Sequence, residues 1–255
     1  MELKLYQHIT NSVNYYSFIN NELIDENFLI TNFEKNGYKI FGRAQINEIQ
    51  INNNLCIVRK YQRGGLLAKL LKDNYFKSDR FLNEFLILQY LIKRQFPTAA
   101  PAFLYVKKKF FFFNAWLGTV KIKEQINFIE YLEKINDRNE AQEKINKIFE
   151  LIRQLMELNV YHTDLQIKNI LICDDFPKIY IIDFDKARFI KNKLFYSYAM
   201  FFRFLRSIKK HRNKIEVLKQ IDFDELQKKF EKIISLKKNI YSTIYCNLAR
   251  FLFYH

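Results

Sequence analysis

The sequence predicts an α+β protein of two lobes, a β-rich first part with one main helix and a mostly helical second part. Three observations predict it. Short alternating apolar runs broken by Asn and Gly fill residues 37–61. Helical periods dominate from residue 139 onward, and a connector with two prolines, "FPTAAPAF" at 96–103, interrupts the chain before them. At 255 residues, 49% hydrophobic and 17% aromatic, the chain has the means to bury a real core and is not a disordered polymer.

The runs "YKIFGRAQI" and "NNNLCIVRKY" suit antiparallel strands with Asn- and Gly-containing turns between them, and "RGG" at 63–65 breaks the pattern. Residues 79–93 then place Phe81, Leu82, Phe85, Leu88 and Ile92 at helical spacing. Each proline of the connector disfavours helix at the residue before it. "FLYVKKKFFFFNAW" resumes as strand. From Asn139 to Leu158 the residues Ile145, Ile148, Phe149, Ile152, Leu155 and Met156 make one helical stripe, and Asn159 is a stop signal. Nearly everything after residue 194 is helical in period. The expected organisation is an N-lobe over 1–113, a hinge at 114–117 and a helical C-lobe over 118–255, with a cleft between the lobes.

Three scattered cysteines, Cys56, Cys173 and Cys246, are too few for a disulfide framework and suit a reducing compartment. The four histidines share no metal-ligand spacing, which excludes a zinc site of the usual kind. "MELKLYQHIT" does not read as a signal peptide, and no apolar run approaches the ~18 residues of a membrane span. Net charge is +15 and unevenly spread: from Lys186 onward 17 Lys or Arg face five Asp or Glu, leaving +12. Such a block favours an anionic partner, whether nucleic acid, an acidic membrane face or a phosphorylated substrate. A solvated basic surface is the plain alternative.

The stretch "VYHTDLQIKNILI", 160–172, has the form His-x-Asp-x-x-x-x-Asn and follows the long helix. After the strand-like "KIYII" comes "DFD", with Asp183 lying 19 residues beyond Asp164. A phosphotransfer enzyme needs one Asp to orient the acceptor hydroxyl and accept its proton. It also needs an Asn and a second Asp to hold magnesium on nucleotide phosphates. Asp164, Asn169 and Asp183 supply these types in that order, joined by two short strands that suit a hairpin. "IDFD" recurs at 221–224, between helical stretches, and there Asp222 with Glu225 suits a helix cap instead.

A nucleotide site also needs a cation on an upstream strand and a carboxylate on the next helix. Arg59 and Lys60 are the candidate cations, and they point to opposite faces of a strand. Glu84 is the candidate carboxylate, with Arg80 one turn before it as a competing local partner. Gly37 and Gly42 in "NGYKIFGRA" serve either as a degenerate phosphate-covering loop or as hairpin turns, since the full glycine-rich pattern is missing. The expected adenine-binding hinge, 114–117, contains Ala115 as its candidate nucleotide contact, with Trp116 equally suited to the core.

"HTDLQIKNILI" and "YIIDFDKAR", with "VRKYQRGGLLAKLLKDNYF" and "DRFLNEF", resemble the 3-deoxy-D-manno-octulosonic acid (Kdo) kinases, lipopolysaccharide kinases with a bilobal protein-kinase-like fold. The resemblance runs from about Gly37 to Arg206. Arg-Gly-Gly after the strand and Asp-Phe-Asp in place of Asp-Phe-Gly are its discriminating features. It implies ATP-dependent phosphorylation of the Kdo 4-hydroxyl on a lipid A precursor, peripherally at the cytoplasmic face of a Gram-negative inner membrane. It further implies Asp164 as catalytic base, Asn169 and Asp183 as Mg2+ ligands, Arg59 (or Lys60) at the ATP-phosphate position, Glu84 as its helix partner and His162 as a structural brace.

The chain departs from that pattern at Gln166, where the family commonly shows Asn, and at Ala44, where a glycine is expected. Thr163 is not Arg and no Ala-Pro-Glu element follows Asp183, which argues against a phosphorylated activation loop and a protein substrate. A heptose kinase, an aminoglycoside-type phosphotransferase and a catalytically dead binding module are the rival readings. The basic segment counts against a polycationic acceptor, and no nucleic-acid motif accompanies the charge. The final "NIYSTIYCNLARFLFYH" carries Ile240, Ile244, Leu248, Phe251 and Leu252 in a helical stripe, suited to packing on the C-lobe or to a membrane surface.

Overall fold

The structure is a computed structural model describing residues 6–10, 12–17, 24, 27–29, 31, 46–51, 53–62, 74–173, 178–234 and 240–254. It divides into two compact units, one of residues 1–94 and 99–122 and the other of residues 95–98 and 123–255. Both halves of the α+β expectation are met, the first unit being built on an antiparallel sheet and the second mainly on helices.

In the first unit the strands are β1 (Tyr6–Ile9), β2 (Val13–Ser17), β3 (Ile46–Ile51), β4 (Asn54–Lys60), β5 (Pro101–Lys109) and β6 (Phe112–Val120). They form one antiparallel sheet in the order β1-β2-β5-β6-β4-β3. One face carries a core of Tyr15, Ile49, Ile51, Cys56, Val58, Phe103, Tyr105 and Trp116. Because strand side chains alternate, Leu104 and Val106 of β5 point to the other face. Packed beside β5 and β6 is helix α1 (Asp79–Lys93), which buries Phe81, Phe85, Leu88 and Leu91. β5 is therefore buried over six consecutive residues, as a central strand covered on both faces should be.

The run 103–116 is not a single strand. It is a hairpin whose turn is Phe110–Phe111, with Lys109 paired to Phe112. The turn has no Gly, Asn or Pro to announce it, so the sequence reads through. In consequence 114–117 lies within β6 and is not a hinge. The sheet continues to Val120 and the division between units falls after Ile122, in place of the expected 113/118 boundaries.

The second unit begins with β7 (Gln125–Asn127) and α2 (Phe128–Lys134), whose N-cap Asn127 accepts a hydrogen bond from the Glu130 amide at 2.9 Å. Helix α3 (Arg138–Glu157) follows, capped by Asp137 and burying Ile145, Ile148, Phe149, Ile152 and Leu155. Asn159 ends it in the left-handed region, φ 57°, a role Asn fills because its short polar side chain tolerates that backbone. β8 (Val160–Tyr161), β9 (Ile170–Cys173), β10 (Lys178–Ile181) and β11 (Arg188–Phe189) make two small sheets, β10-β9-β7 and β11-β8.

Then come α4 (Lys193–His211), α5 (Glu216–Lys219), α6 (Phe223–Ile233) and α7 (Ile240–Phe253). Phe149 of α3 meets Phe201, Phe204 and Phe230 edge to face, at 5.4, 6.1 and 5.4 Å between ring centres. Each such ring contributes roughly 1.5–3 kcal/mol by burial. The second "IDFD" is a helix start, as its setting suggested: Asp222 accepts from the amides of Asp224 (2.8 Å) and Glu225 (3.3 Å). Helix α7 packs on α4, where Tyr245 and Phe253 meet the Phe195 ring at 6.1 and 6.2 Å; Ser242, Cys246 and Ala249 are buried, while Ile244, Leu248, Phe251 and Leu252 face solvent. Four of the five stripe residues are thus exposed, against C-lobe packing, the first of the two readings the sequence allowed; the Ile240 side chain lies outside the described residues. All three cysteines are free.

Gly118 of β6 lies against the buried Phe103 ring, and a Cβ there would overlap it. Gly118→Ala is expected to lower unfolding free energy by about 1–3 kcal/mol. Urea denaturation followed by circular dichroism measures it.

Candidate active site

Strand alternation decides which cation of the first unit meets the helix. Cys56 and Val58 point into the core face of β4, so Lys60 shares their side and its ammonium sits 5.1 Å from the centre of the Trp116 ring. Arg59 points to the face covered by α1. There its Nη2 lies 2.5 Å from Oε1 of Glu84, whose side chain is 2% exposed. Glu84 occupies the apolar stripe of α1 with Phe81, Phe85 and Leu88, which is why a carboxylate is buried at all. The second carboxylate oxygen accepts from the Tyr61 hydroxyl at 2.5 Å. Tyr61 also packs on Phe81 at a tilt, with ring centres 4.5 Å apart. Sequence reasoning missed Tyr61, although it lies two residues beyond Arg59 and period two places both on one face.

Two expected nucleotide contacts fare differently. Ala115 is fully buried in β6 and its carbonyl accepts from the Tyr61 amide at 3.0 Å, so it is sheet interior and not an adenine contact. The misplaced hinge put it forward. Gly42, like Gly37 and Ala44, lies outside the described residues.

In the second unit, the loop after β8 and the segment after β10 are joined by one imidazole. His162 is fully buried. Its Nε2 lies 3.0 Å from the Ile182 carbonyl, and its Nδ1 accepts from the Asp164 amide at 3.3 Å. A ring that donates from Nε2 and accepts at Nδ1 is neutral. Burial pushes its pKa down from the ordinary 6.5, against smaller opposing effects from the Ile182 hydrogen bond and the carboxylates of Asp183 and Asp164. Phe184 is fully buried, its ring centre 4.7 Å from that of His162 and 6.3 Å from that of Phe96. Asp183 before it has φ 65°, a left-handed backbone a carboxylate residue tolerates better than a β-branched one.

Asn169 is 5% exposed, closes a short 3-10 turn (Ile167–Asn169), and donates from Nδ2 to the Asp164 carbonyl at 2.8 Å. Its own carbonyl accepts from the Ile182 amide at 3.0 Å, tying it to the chain beside Asp183. The loop is further anchored by Ser207 of α4, whose Oγ accepts from the Ile167 amide at 3.0 Å, and by Thr163, whose hydroxyl donates to the Asp185 carbonyl at 3.2 Å. The Asp164 carboxylate itself is 41% exposed; it accepts from the Gln166 amide, and the Lys168 ammonium stands 3.7 Å from its Oδ2. Lys168 was legible in principle, four residues after the Asp. Ser207 carried no local signal, being 40 residues away.

The arrangement offers a half-exposed carboxylate beside a lysine, on a loop held by its backbone. Asn169, bonded to the same loop, brings an amide oxygen, and Asp183, in the segment that His162 ties to it, brings a second carboxylate; both are hard oxygen donors of the kind Mg2+ takes. With the Asn169 Nδ2 committed to the Asp164 carbonyl, Oδ1 is the atom with which that amide would hold a metal ion. Among the described residues no three His, Cys, Asp or Glu side chains cluster as a metal cage, so these residues fit an ion completed by phosphate oxygens and water.

Comparison with known proteins defines first the class and then the family. A solved structure described as "WaaP in complex with acyl carrier protein" matches over 88% of this chain and 92% of its own, with a TM-score of 0.51 at 10% identity. The fold is therefore the bilobal, protein-kinase-like α+β fold. Residues 42–233 match the model of the lipopolysaccharide kinase (Kdo/WaaP) family, and the chain belongs to that family. A 3-deoxy-D-manno-octulosonic acid kinase of Vibrio cholerae is 33% identical over 57% of this chain and 62% of its own length. Those of Haemophilus influenzae (strain PittGG) and Pasteurella multocida are 34% identical, over 52% and 51% of this chain and 57% and 56% of their own. The matches thus span about three fifths of the length of these relatives.

Arg59→Met should cost about 3–5 kcal/mol, because it strands a buried carboxylate, whereas Arg59→Met with Glu84→Leu should recover most of it. A double-mutant cycle by chemical denaturation measures both. For His162 the unfolded chain takes up a proton near the ordinary value and the folded chain resists it. Stability is therefore expected to fall as pH drops below about 6.5, and His162→Gln to flatten that dependence. Urea midpoints between about pH 7.5 and about pH 5.5 test it.

Proposed function

We propose that this protein is an ATP-dependent kinase that phosphorylates the Kdo sugar, at its 4-hydroxyl, of a Kdo-bearing lipid A precursor. The observation that carries the reading is the second unit's loop. His162, Asn169 and Ser207 hold the backbone around Asp164 and tie it to the Asp183 segment, while leaving the Asp164 carboxylate accessible. Family membership and the intact Arg59–Glu84 pair support it.

In this mechanism Asp164 accepts the proton of the attacking sugar hydroxyl. The Gln166 amide on Oδ1 orients that carboxylate toward one proton-accepting geometry. Asn169 and Asp183 would hold Mg2+, which when bound neutralises the charge of the nucleotide phosphates. In the first unit Arg59, aligned by Glu84 and Tyr61, is a fixed cation of the kind that pairs with a nucleotide phosphate, and in the second unit Lys168 is a cation beside the Asp164 carboxylate. Asp164, Asn169, Asp183, Arg59 and Glu84 are all present, which counts against the dead-module reading that the incomplete glycine pattern allows.

The acceptor carries a sugar carboxylate and lipid phosphates, and the +12 segment from Lys186 onward suits such anions. We place the protein peripherally on the anionic cytoplasmic face of an inner membrane, with no nucleic-acid partner. Among the described residues no helix is long and apolar enough to cross a membrane.

Asp164→Ala is expected to abolish phosphate transfer to Kdo-bearing lipid A precursor while ATP binding persists, and Asp183→Asn to weaken Mg2+-dependent nucleotide binding. Mass spectrometry of the lipid product and nucleotide titrations with and without Mg2+ measure these. Turnover near the wild-type rate in Asp164→Ala removes it as the base.

A further inference from the structure

We infer that the β5–β6 hairpin tip is a membrane-docking element, inserting Phe110 and Phe111 into an anionic bilayer surface with Lys108 and Lys109 against the headgroups. The inference deepens the proposed lipid-bound acceptor by assigning a surface to the contact.

The tip is built against the interests of folding in water. Phe110 and Phe111 are 83% and 84% exposed, so neither contributes to the core. Phe110 is the first central residue of a two-residue hairpin turn and has φ 55°, a position where Gly is usual and a bulky side chain is strained. Turn chemistry and solvation would both select a small polar pair here, yet two phenylalanines stand in it. Such local contradictions belong to functional surfaces.

Neighbouring segments extend the same chemistry. Tyr75 bridges to Phe113 through paired backbone hydrogen bonds of 3.0 and 2.7 Å, which brings the exposed Phe76 onto Phe112, ring centres 5.1 Å apart, with exposed Lys77 next in the chain. On the other side the Lys108 amide donates to the Ser12 carbonyl at 2.7 Å, so the turn between β1 and β2 lies alongside. Ile9, at the end of β1, is 60% exposed. One end of the sheet therefore presents Ile9, Phe76, Phe110 and Phe111 among Lys77, Lys108 and Lys109. The hairpin from Pro101 to Val120 contains no carboxylate at all. Apolar side chains collared by lysines, whose stems lie along apolar surface while their ammonium groups reach polar headgroups, match an anionic lipid interface. A purely apolar protein partner has no use for the lysines.

The test uses the full chain with vesicles of phosphatidylcholine, with and without phosphatidylglycerol. Wild type is expected to sediment with the anionic vesicles, less so at high salt. Phe111→Trp supplies a local reporter, since the native chain has one tryptophan, buried Trp116. Its emission should shift to the blue on binding and be quenched by bromine-labelled acyl chains. Phe110→Gly should leave thermal stability unchanged or raise it, because it relieves the turn, yet weaken vesicle partitioning about tenfold. Lys108→Gln with Lys109→Gln should weaken it about fivefold per lysine. A wild type that binds while residue 111 stays in water overturns the hairpin assignment and leaves the membrane reading standing. A wild type that ignores vesicles overturns both, and self-association abolished by Phe110→Gly points to a second copy and overturns it as well. Phosphate transfer to a soluble Kdo acceptor, measured in parallel, reports on the kinase reading alone.

Discussion

A neutral imidazole in a buried interior is the constraint on which the loop of the second unit depends. His162 reaches the Ile182 carbonyl with one nitrogen and the Asp164 amide with the other, so two chain segments that are 20 residues apart share a single rigid group. Because burial opposes its protonation, the ring keeps one tautomer and one pair of partners. Phe184 packs on it and closes the same layer. The carboxylates of Asp164 and Asp183 are thereby attached to a backbone that cannot shift independently on either side. Preorganisation of this kind is what electrostatic catalysis of phosphate transfer requires.

The first unit solves a different problem, that of holding one cation still. A buried carboxylate on its own would be costly, and Glu84 meets that cost with two charged or polar partners, Arg59 and Tyr61. Arg59 lies on β4 and Tyr61 directly after its end, two residues on and so on the same face. The pair adds little to stability compared with apolar packing, but it fixes the guanidinium in register with the sheet, and a fixed cation serves a phosphate better than a mobile one.

The surface chemistry is of one kind in both units, although each unit displays it on its own element. Helix α7 leaves Ile244, Leu248, Phe251 and Leu252 exposed, and the β5–β6 turn exposes two rings beside lysines. Water-soluble proteins rarely leave such groups uncovered without a purpose. The proposed lipid acceptor would supply one, since an enzyme held at the interface meets a membrane lipid by diffusion in two dimensions.

The sequence by itself determined the α+β division, the helices at 79–93 and 138–157, the stop at Asn159, the hairpin of β9 and β10, and the different fates of the two "IDFD" copies. Each of these rests on local chemistry: period, a capping side chain, a left-handed Asn. Only tertiary structure decided between Arg59 and Lys60, because alternation says they differ in direction but not which face the helix covers. It also moved the boundary between units and removed Ala115 from the site, since the Phe110–Phe111 turn lacks the residues that mark turns. Ser207 and Tyr61 entered through contacts made across long stretches of chain, and the outward face of α7 depended on which side α4 chose to cover. Periodicity specifies a direction relative to the element; what lies in that direction is a property of the packed fold.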